Sequence, residues 1–397
     1  MNRQPIKHAA GGLPVLFLAA ALFAGSGTGL FAQSEKGLSF SGVLDTRLLM
    51  AAGAGEGPDF SMGLESAANL RAQAPLREWG TFYGAVNFIA ATGTPALALT
   101  SLGQSGAPVF LGGENYAGAI ELERLYFRVK GEVLQLDAGL MRLPFGYGNL
   151  WGPSDFLNPR SPLLPDARLR GVLGAAFAAY PAGDLKLLSF ATAPKDPLNA
   201  EGEGVILGLG GERHWGKASV QGLYAYETPQ GQSSQGVHRA GFSVKADAEV
   251  GLVADMLYTG DPVKGTGAGG LSASAGLDYT FLDGYLYVLA EYLYSGAASS
   301  TAGSLGLTQR HYLNIMGQYS IDDYTKASLV FVAGLEDASF SPILSAEYEP
   351  LQGMVLTLSA QVPLDRDLFS GDGNHGELGP ERTQTRALVT LKARVRF

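Results

Sequence analysis

The chain closes on TRALVTLKARVRF (Thr385–Phe397). Every second residue is apolar: Ala387, Val389, Leu391, Ala393, Val395 and Phe397. Between them stand Arg386, Leu388, Thr390, Lys392, Arg394 and Arg396. A period of two puts these sets on opposite faces of one strand. One face then needs an apolar surrounding and the other needs water.

The same period recurs upstream. LSFSGVLDTRLL (Leu38–Leu49) sets Leu38, Phe40, Leu44 and Leu48 against Ser39, Ser41, Asp45 and Arg47. TFYGAVNFIA, HRAGFSVKAD, SASAGLDYTF and GMVLTLSAQV repeat the pattern. Such runs exceed the common strand of about 5–6 residues and match the ~9–11 that cross a bilayer at a tilt. Short connections, such as KGE, PAGD, HWGK, LDG and IDD, alternate with long ones at 92–117, 143–170, 194–203, 260–270, 295–308 and 364–384. Short turns on one rim and long loops on the other predict an up-and-down barrel. The expected strands number about 18 (16–18), with both termini on the short-turn rim. IELERLYFRV (120–129) changes phase near Glu123, which predicts a bulge.

Composition agrees. Of 397 residues, 46% are hydrophobic and only 16% charged, below the roughly one quarter typical of water-soluble domains. A soluble sandwich would bury its apolar stripes between two sheets and carry more surface charge. A net charge of −9 excludes the basic footprint that nucleic acid requires. With no cysteine, disulfides and thiolate metal sites are excluded.

The first 32 residues read as a secretory leader. Arg3 and Lys7 precede the apolar run Leu13–Gly25, and small residues follow before a cut after Ala32. The apolar run is too short for a membrane helix of roughly 20 residues. Residues 33–397 then form one barrel domain. Since no backbone group can stay unpaired in lipid, a membrane-embedded sheet must close on itself. Tyr224, Tyr226, Tyr292, Tyr294, Tyr319, Tyr348 and Phe397 lie near strand ends, as interfacial aromatics do. The expected place is the outer membrane of a bacterial cell, in contact with its lipid.

The least strand-like stretch is Met141–Gly171, with five prolines and Trp151. Its candidate lining charges are Arg142, Asp155, Arg160, Asp166, Arg168 and Arg170. Arg386, Lys392, Arg394 and Arg396 are candidates on the last strand. Arg71, Arg124, Arg128, Arg239, Lys245 and Lys326 face the same way, but so do Asp45, Glu65, Asp137, Asp255, Asp278, Glu291 and Glu347. A mixed lumen with charges paired across strands is therefore favoured over a cationic one. The segment GLMRLPFGYGNLWGPSDFLNP (139–159) resembles one in bacterial outer-membrane porin-like families, including phosphate-selective-porin relatives. That resemblance implies that loop 143–170 folds inward as a constriction. A last strand ending in Phe397 resembles the C-terminal signature of outer-membrane barrels, which implies recognition by the barrel-assembly machinery.

No catalytic, metal or cofactor constellation stands out. There is no Gly-x-Ser-x-Gly elbow and no His-Glu-x-x-His. His214, His238, His311 and His375 are isolated along the sequence. DGNHGELG lacks the spacing of a calcium loop, and GDPVKGTGAGG precedes a strand, not a phosphate-binding helix. The expected function is passive diffusion of small hydrophilic solutes. An adhesin whose long loops bind ligands, and an export pore, are the alternatives. Porins are often trimers, so a homo-trimer is one expected assembly. N-terminal sequencing of the membrane-extracted protein is expected to begin at Gln33, and a start at Met1 would refute the leader.

Overall fold

In the computed structural model of the chain, the described residues are 37–53, 59–94, 96, 109–113, 115–159, 163, 168, 171–193, 204–229, 236–260, 270–296, 308–366 and 375–397. The expected leader lies outside them. The first strands are β1 (Ser39–Gly53), β2 (Phe60–Leu76), β3 (Gly80–Thr92), β4 (Val109–Gly113), β5 (Tyr116–Lys130) and β6 (Leu134–Met141). Next come β7 (Val172–Ala182), β8 (Leu185–Thr192), β9 (Ile206–Trp215), β10 (Ala218–Glu227), β11 (Val237–Asp247) and β12 (Gly251–Gly260). The last are β13 (Leu271–Phe281), β14 (Leu286–Ser295), β15 (His311–Ser320), β16 (Thr325–Gly334), β17 (Ser339–Leu351), β18 (Met354–Gln361) and β19 (Thr385–Arg396).

All pairings are antiparallel, and β1 pairs with both β2 and β19, so the sheet closes. β3 pairs directly with β5. β4 lies outside that circuit as a flap on the upper end of β5, leaving eighteen wall strands of nineteen. Each expected strand is present. The expected loop 92–117 contains β4, which its short apolar run did not signal. β2 also continues through Pro75 to Leu76. A proline is tolerated there because it lies next to the turn. The phase change in β5 is a bulge: the register slips so that Ala85 faces Arg124 and Val86 faces Leu122, with Glu123 as the extra residue. The slip keeps Ile120, Leu122, Leu125 and Phe127 all exposed on the outside.

The outer face is a belt of exposed large apolar side chains, among them Phe82, Phe88, Phe177, Leu209, Phe242, Leu277, Ile315, Leu344 and Leu391. Water does not tolerate an apolar surface of this extent on a monomer, and hydrocarbon does. Rings border the belt. Trp79, Trp215, Tyr285, Tyr319, Tyr324, Tyr348 and Phe397 are exposed toward the short turns, and Tyr116, Tyr224 and Tyr292 toward the long loops. Among the described residues, no helix is long and apolar enough to cross a membrane.

Closure is finished by the last residue. Gly42 and Phe397 exchange backbone hydrogen bonds of 2.7 and 3.0 Å. The Phe397 ring occupies the space a side chain at position 42 would take, so glycine is needed there for a close approach. Gly42→Leu should displace the ring and destabilise the barrel by about 1–3 kcal/mol, as overpacking does. A lower midpoint in heat-modifiable gel mobility would register this; an unchanged midpoint would refute the seam's dependence on Gly42.

Candidate functional site

β6 is only 8 residues long, against 15 in β1 and 17 in β2. The wall is therefore low at β6, and the chain leaves it inward. Pro144, Pro153 and Pro159 withhold backbone donors, so this stretch cannot extend the ladder. It lands on the inner wall in two apolar patches. Leu143, Phe145 and Leu157 pack on Ala176, Phe190, Leu223 and Ala225 of β7, β8 and β10. Trp151 packs with Leu293, Tyr312, Val332 and Leu378, its ring centroid 5.8 Å from that of Tyr312.

Polar posts between the patches hold the irregular backbone. Glu291 of β14 accepts the N–H groups of Leu150 at 2.8 Å and Trp151 at 3.1 Å. Asp255 of β12 accepts the Ser154 N–H at 3.3 Å and its hydroxyl, and also the Ser243 hydroxyl at 2.6 Å. The Gly146 N–H donates to Gln221 at 2.5 Å. Gly146 has φ +79, and a side chain there would collide with Asp255, so only glycine fits. Tyr147 donates to Glu212 at 2.7 Å. Burial, helped by that carboxylate, raises the Tyr147 phenol pKa well above its usual value, which keeps it a donor.

The opposite side of the lumen is open. A cavity of about 610 Å³ lies against β19, β1, β2 and β3; among the described residues it is lined by Arg47, Arg71, Arg142, Arg168, Arg394 and Arg396, with Asp45 as the one acidic side chain. Most of this charge is matched nearby. Arg394 forks onto Asp45 at 2.7 and 3.0 Å. Arg142 meets Glu123 at 2.9 Å, and Arg168 meets Glu65 at 2.8 Å. Asn69 bridges Asn87 and Glu123, both at 2.6 Å, and accepts from Arg71 Nε.

Of the residues expected from sequence, Arg142, Arg168, Arg394 and Arg396 meet at this cavity. Asp155 instead turns into the loop, where it accepts the Phe145 N–H at 3.4 Å. Lys392 is nearly buried in the wall and Arg386 is exposed on β19; neither lines the cavity. Arg160, Asp166 and Arg170 lie outside the described residues. His238 and His311 point to the outer face, each bonded to a rim tyrosine, Tyr224 at 2.6 Å and Tyr292 at 2.5 Å. The posts Glu291, Asp255, Glu212 and Gln221 gave no sequence signal as loop anchors. Inward-facing acids on strands look alike until the loop is placed.

The fold and this interior define a closed antiparallel barrel with an inward loop and an arginine-lined opening. No model of a known family matches the chain, and no curated protein resembles it. Among solved structures it is similar to OccAB3 of Acinetobacter baumannii, at 12% identity and TM-score 0.55 over 91% of this chain and 99% of that one. It is also similar to OccAB4 of the same organism, at 9% identity and TM-score 0.54 over 91% and 98%. OccK5 (OpdH) of Pseudomonas aeruginosa gives 10% identity and TM-score 0.52 over 90% and 97%. At such identities the likeness establishes the fold.

Glu291→Ala would strand two buried N–H groups, at about 1–3 kcal/mol each, and should free the loop while leaving the strands intact. Trp151 emission is expected to shift red with unchanged far-ultraviolet circular dichroism. An unshifted spectrum would show that apolar packing alone holds the loop.

Proposed function

We propose that this protein is a porin-type channel of the bacterial outer membrane, through which small hydrophilic solutes diffuse without a cofactor. The observation that carries the reading is the divided lumen: an apolar-coated barrel with loop 142–159 filling one side and a cavity of about 610 Å³ against the other. Eighteen strands enclose enough width for an aqueous path, where eight would be filled by side chains. The resemblance of Gly139–Pro159 to porin-like families supports the same reading. In it, Arg142, Arg168, Arg394 and Arg396 line the cavity beside the loop, and charged groups along a passage set which solutes pass. Export by the leader, insertion by the assembly machinery through Phe397, and assembly as a trimer complete the proposal.

Purified protein in planar bilayers is expected to give stepwise currents, and removing residues 146–156 should enlarge each step. A heat-modifiable barrel that inserts but passes no current would refute the channel and leave the adhesin reading in its place.

A further inference from the structure

One cluster of reactive groups lies away from the arginine-lined cavity. It sits at the short-turn rim, where HWGKAS (214–219) joins β9 to β10. Ser219 and His214 are cross-strand partners, and the Ser219 hydroxyl lies 2.8 Å from His214 Nδ1. Glu212, on the same face of β9, places its Oε1 3.6 Å from His214 Nε2. That carboxylate is itself held. Tyr147 of the inward loop donates to the same Oε1 at 2.7 Å, and Lys186 Nζ stands 3.7 Å from Oε2. On its other side Ser219 is paired with Lys245 of β11, at the ~5 Å spacing of cross-strand side chains. Ser219 has the parity of Gln221 and Leu223, which touch the inward loop, so the cluster faces the lumen. The His214 side chain is 53% exposed, which leaves the cluster open to water and small solutes at this end.

The geometry points to a hydrolytic site for small carboxylic esters, with Ser219 as nucleophile and His214 as its base. With the Nε2 proton directed at Glu212, His214 offers the Nδ1 lone pair to the Ser219 hydroxyl. Ser219 Oγ attacks the ester carbonyl carbon as its proton passes to Nδ1. The charge that develops on the carbonyl oxygen falls within reach of the Lys245 ammonium, whose 3.3 Å pairing with Asp247 is exposed and therefore weak. The C–O bond to the alcohol then breaks, and the alcohol leaves with the proton from Nδ1. Water attacks the acyl carbon, giving its proton to the same nitrogen. The acid departs and Ser219 regains its hydrogen. The sum is ester plus water giving acid plus alcohol, with no further reactant. Glu212 is a positioning residue that sets the imidazole tautomer and steadies the imidazolium. The site goes beyond the channel reading and does not depend on it.

The test uses purified barrels, shown to be folded by heat-modifiable mobility. Each is treated with a fluorophosphonate probe and assayed with p-nitrophenyl acetate. In the wild type the probe should attach at Ser219, as peptide mapping reads. Ser219→Ala should lose both label and hydrolysis, and His214→Ala should lower hydrolysis about 100-fold or more. Glu212→Gln and Lys245→Gln should lower kcat and spare KM, which a merely structural role would not do. Ser328→Ala, on a distant inward-facing serine, should change nothing. Label at another residue, or hydrolysis that survives Ser219→Ala, would overturn the site. Stepwise currents in planar bilayers should persist in Ser219→Ala. Currents without hydrolysis would leave the channel and remove the site; hydrolysis without currents would do the reverse.

Discussion

In hydrocarbon a backbone N–H or C=O has no water to bond, so each must find a partner within the protein. That requirement closes the sheet, and the rest of the structure follows. Closure brings β19 onto β1, so that the final Phe397 lies over Gly42. It also fixes which residues face inward, since a one-residue slip would turn a whole strand's side chains to the other face. Irregular backbone is then tolerated only inside the barrel, and only if its own polar groups are satisfied. Loop 142–159 meets the same requirement by other means. Its amides donate to carboxylates and an amide of the wall at Glu291, Asp255 and Gln221.

The loop explains an anomaly in the wall. The inner faces of β7, β8 and β10 are apolar in part, as their outer faces are. Phe177 and Leu187 are exposed outside, while Ala176, Ala178, Phe190, Leu223 and Ala225 are buried inside. A purely aqueous lumen gives no reason for that inner surface. The packing of Leu143, Phe145 and Leu157 against it does, and at about 25 cal/mol per Å² buried such contact is a sizeable share of what docks the loop. The barrel thus holds a small hydrophobic core within its own lumen, and polar wall residues dominate where that core ends.

Legibility follows from this division. The strands were readable because lipid on one side and water on the other impose strict alternation. Even the Glu123 bulge showed as a phase slip in IELERLYFRV. β4 was not readable, because five residues on the edge of a long loop carry no face of their own. Arg142, Arg168, Arg394 and Arg396 line one cavity; inward parity marks the two on β19, and the odd composition of Met141–Gly171 marks the other two. Asp155 was misread as a lumen charge; its proximity to Phe145 arises from a fold of the loop that spacing does not encode. The posts Gln221 and Glu291 stand 75 and 141 residues from their loop partners, and no local pattern reports a contact at that range.

The pairing of lumenal charge has a consequence for selectivity. Sequence favoured a mixed, self-neutralising lumen, and the ion pairs of Arg142, Arg168, Arg128 and Arg394 have that character. Yet the acids that neutralise the loop arginines, Glu65 and Glu123, are themselves buried, while the arginines reach into the cavity. On the channel reading proposed above, a solute moving along the β19–β3 wall would meet guanidinium groups first and their counter-charges behind them. Opposite charges at different depths leave a local field even where the sum is near zero, because the nearer group interacts more strongly. Overall acidity, set largely by residues elsewhere, does not determine the sign of that field. Net charge describes the molecule as a whole; the field at the cavity depends on the order in which the wall presents its charges.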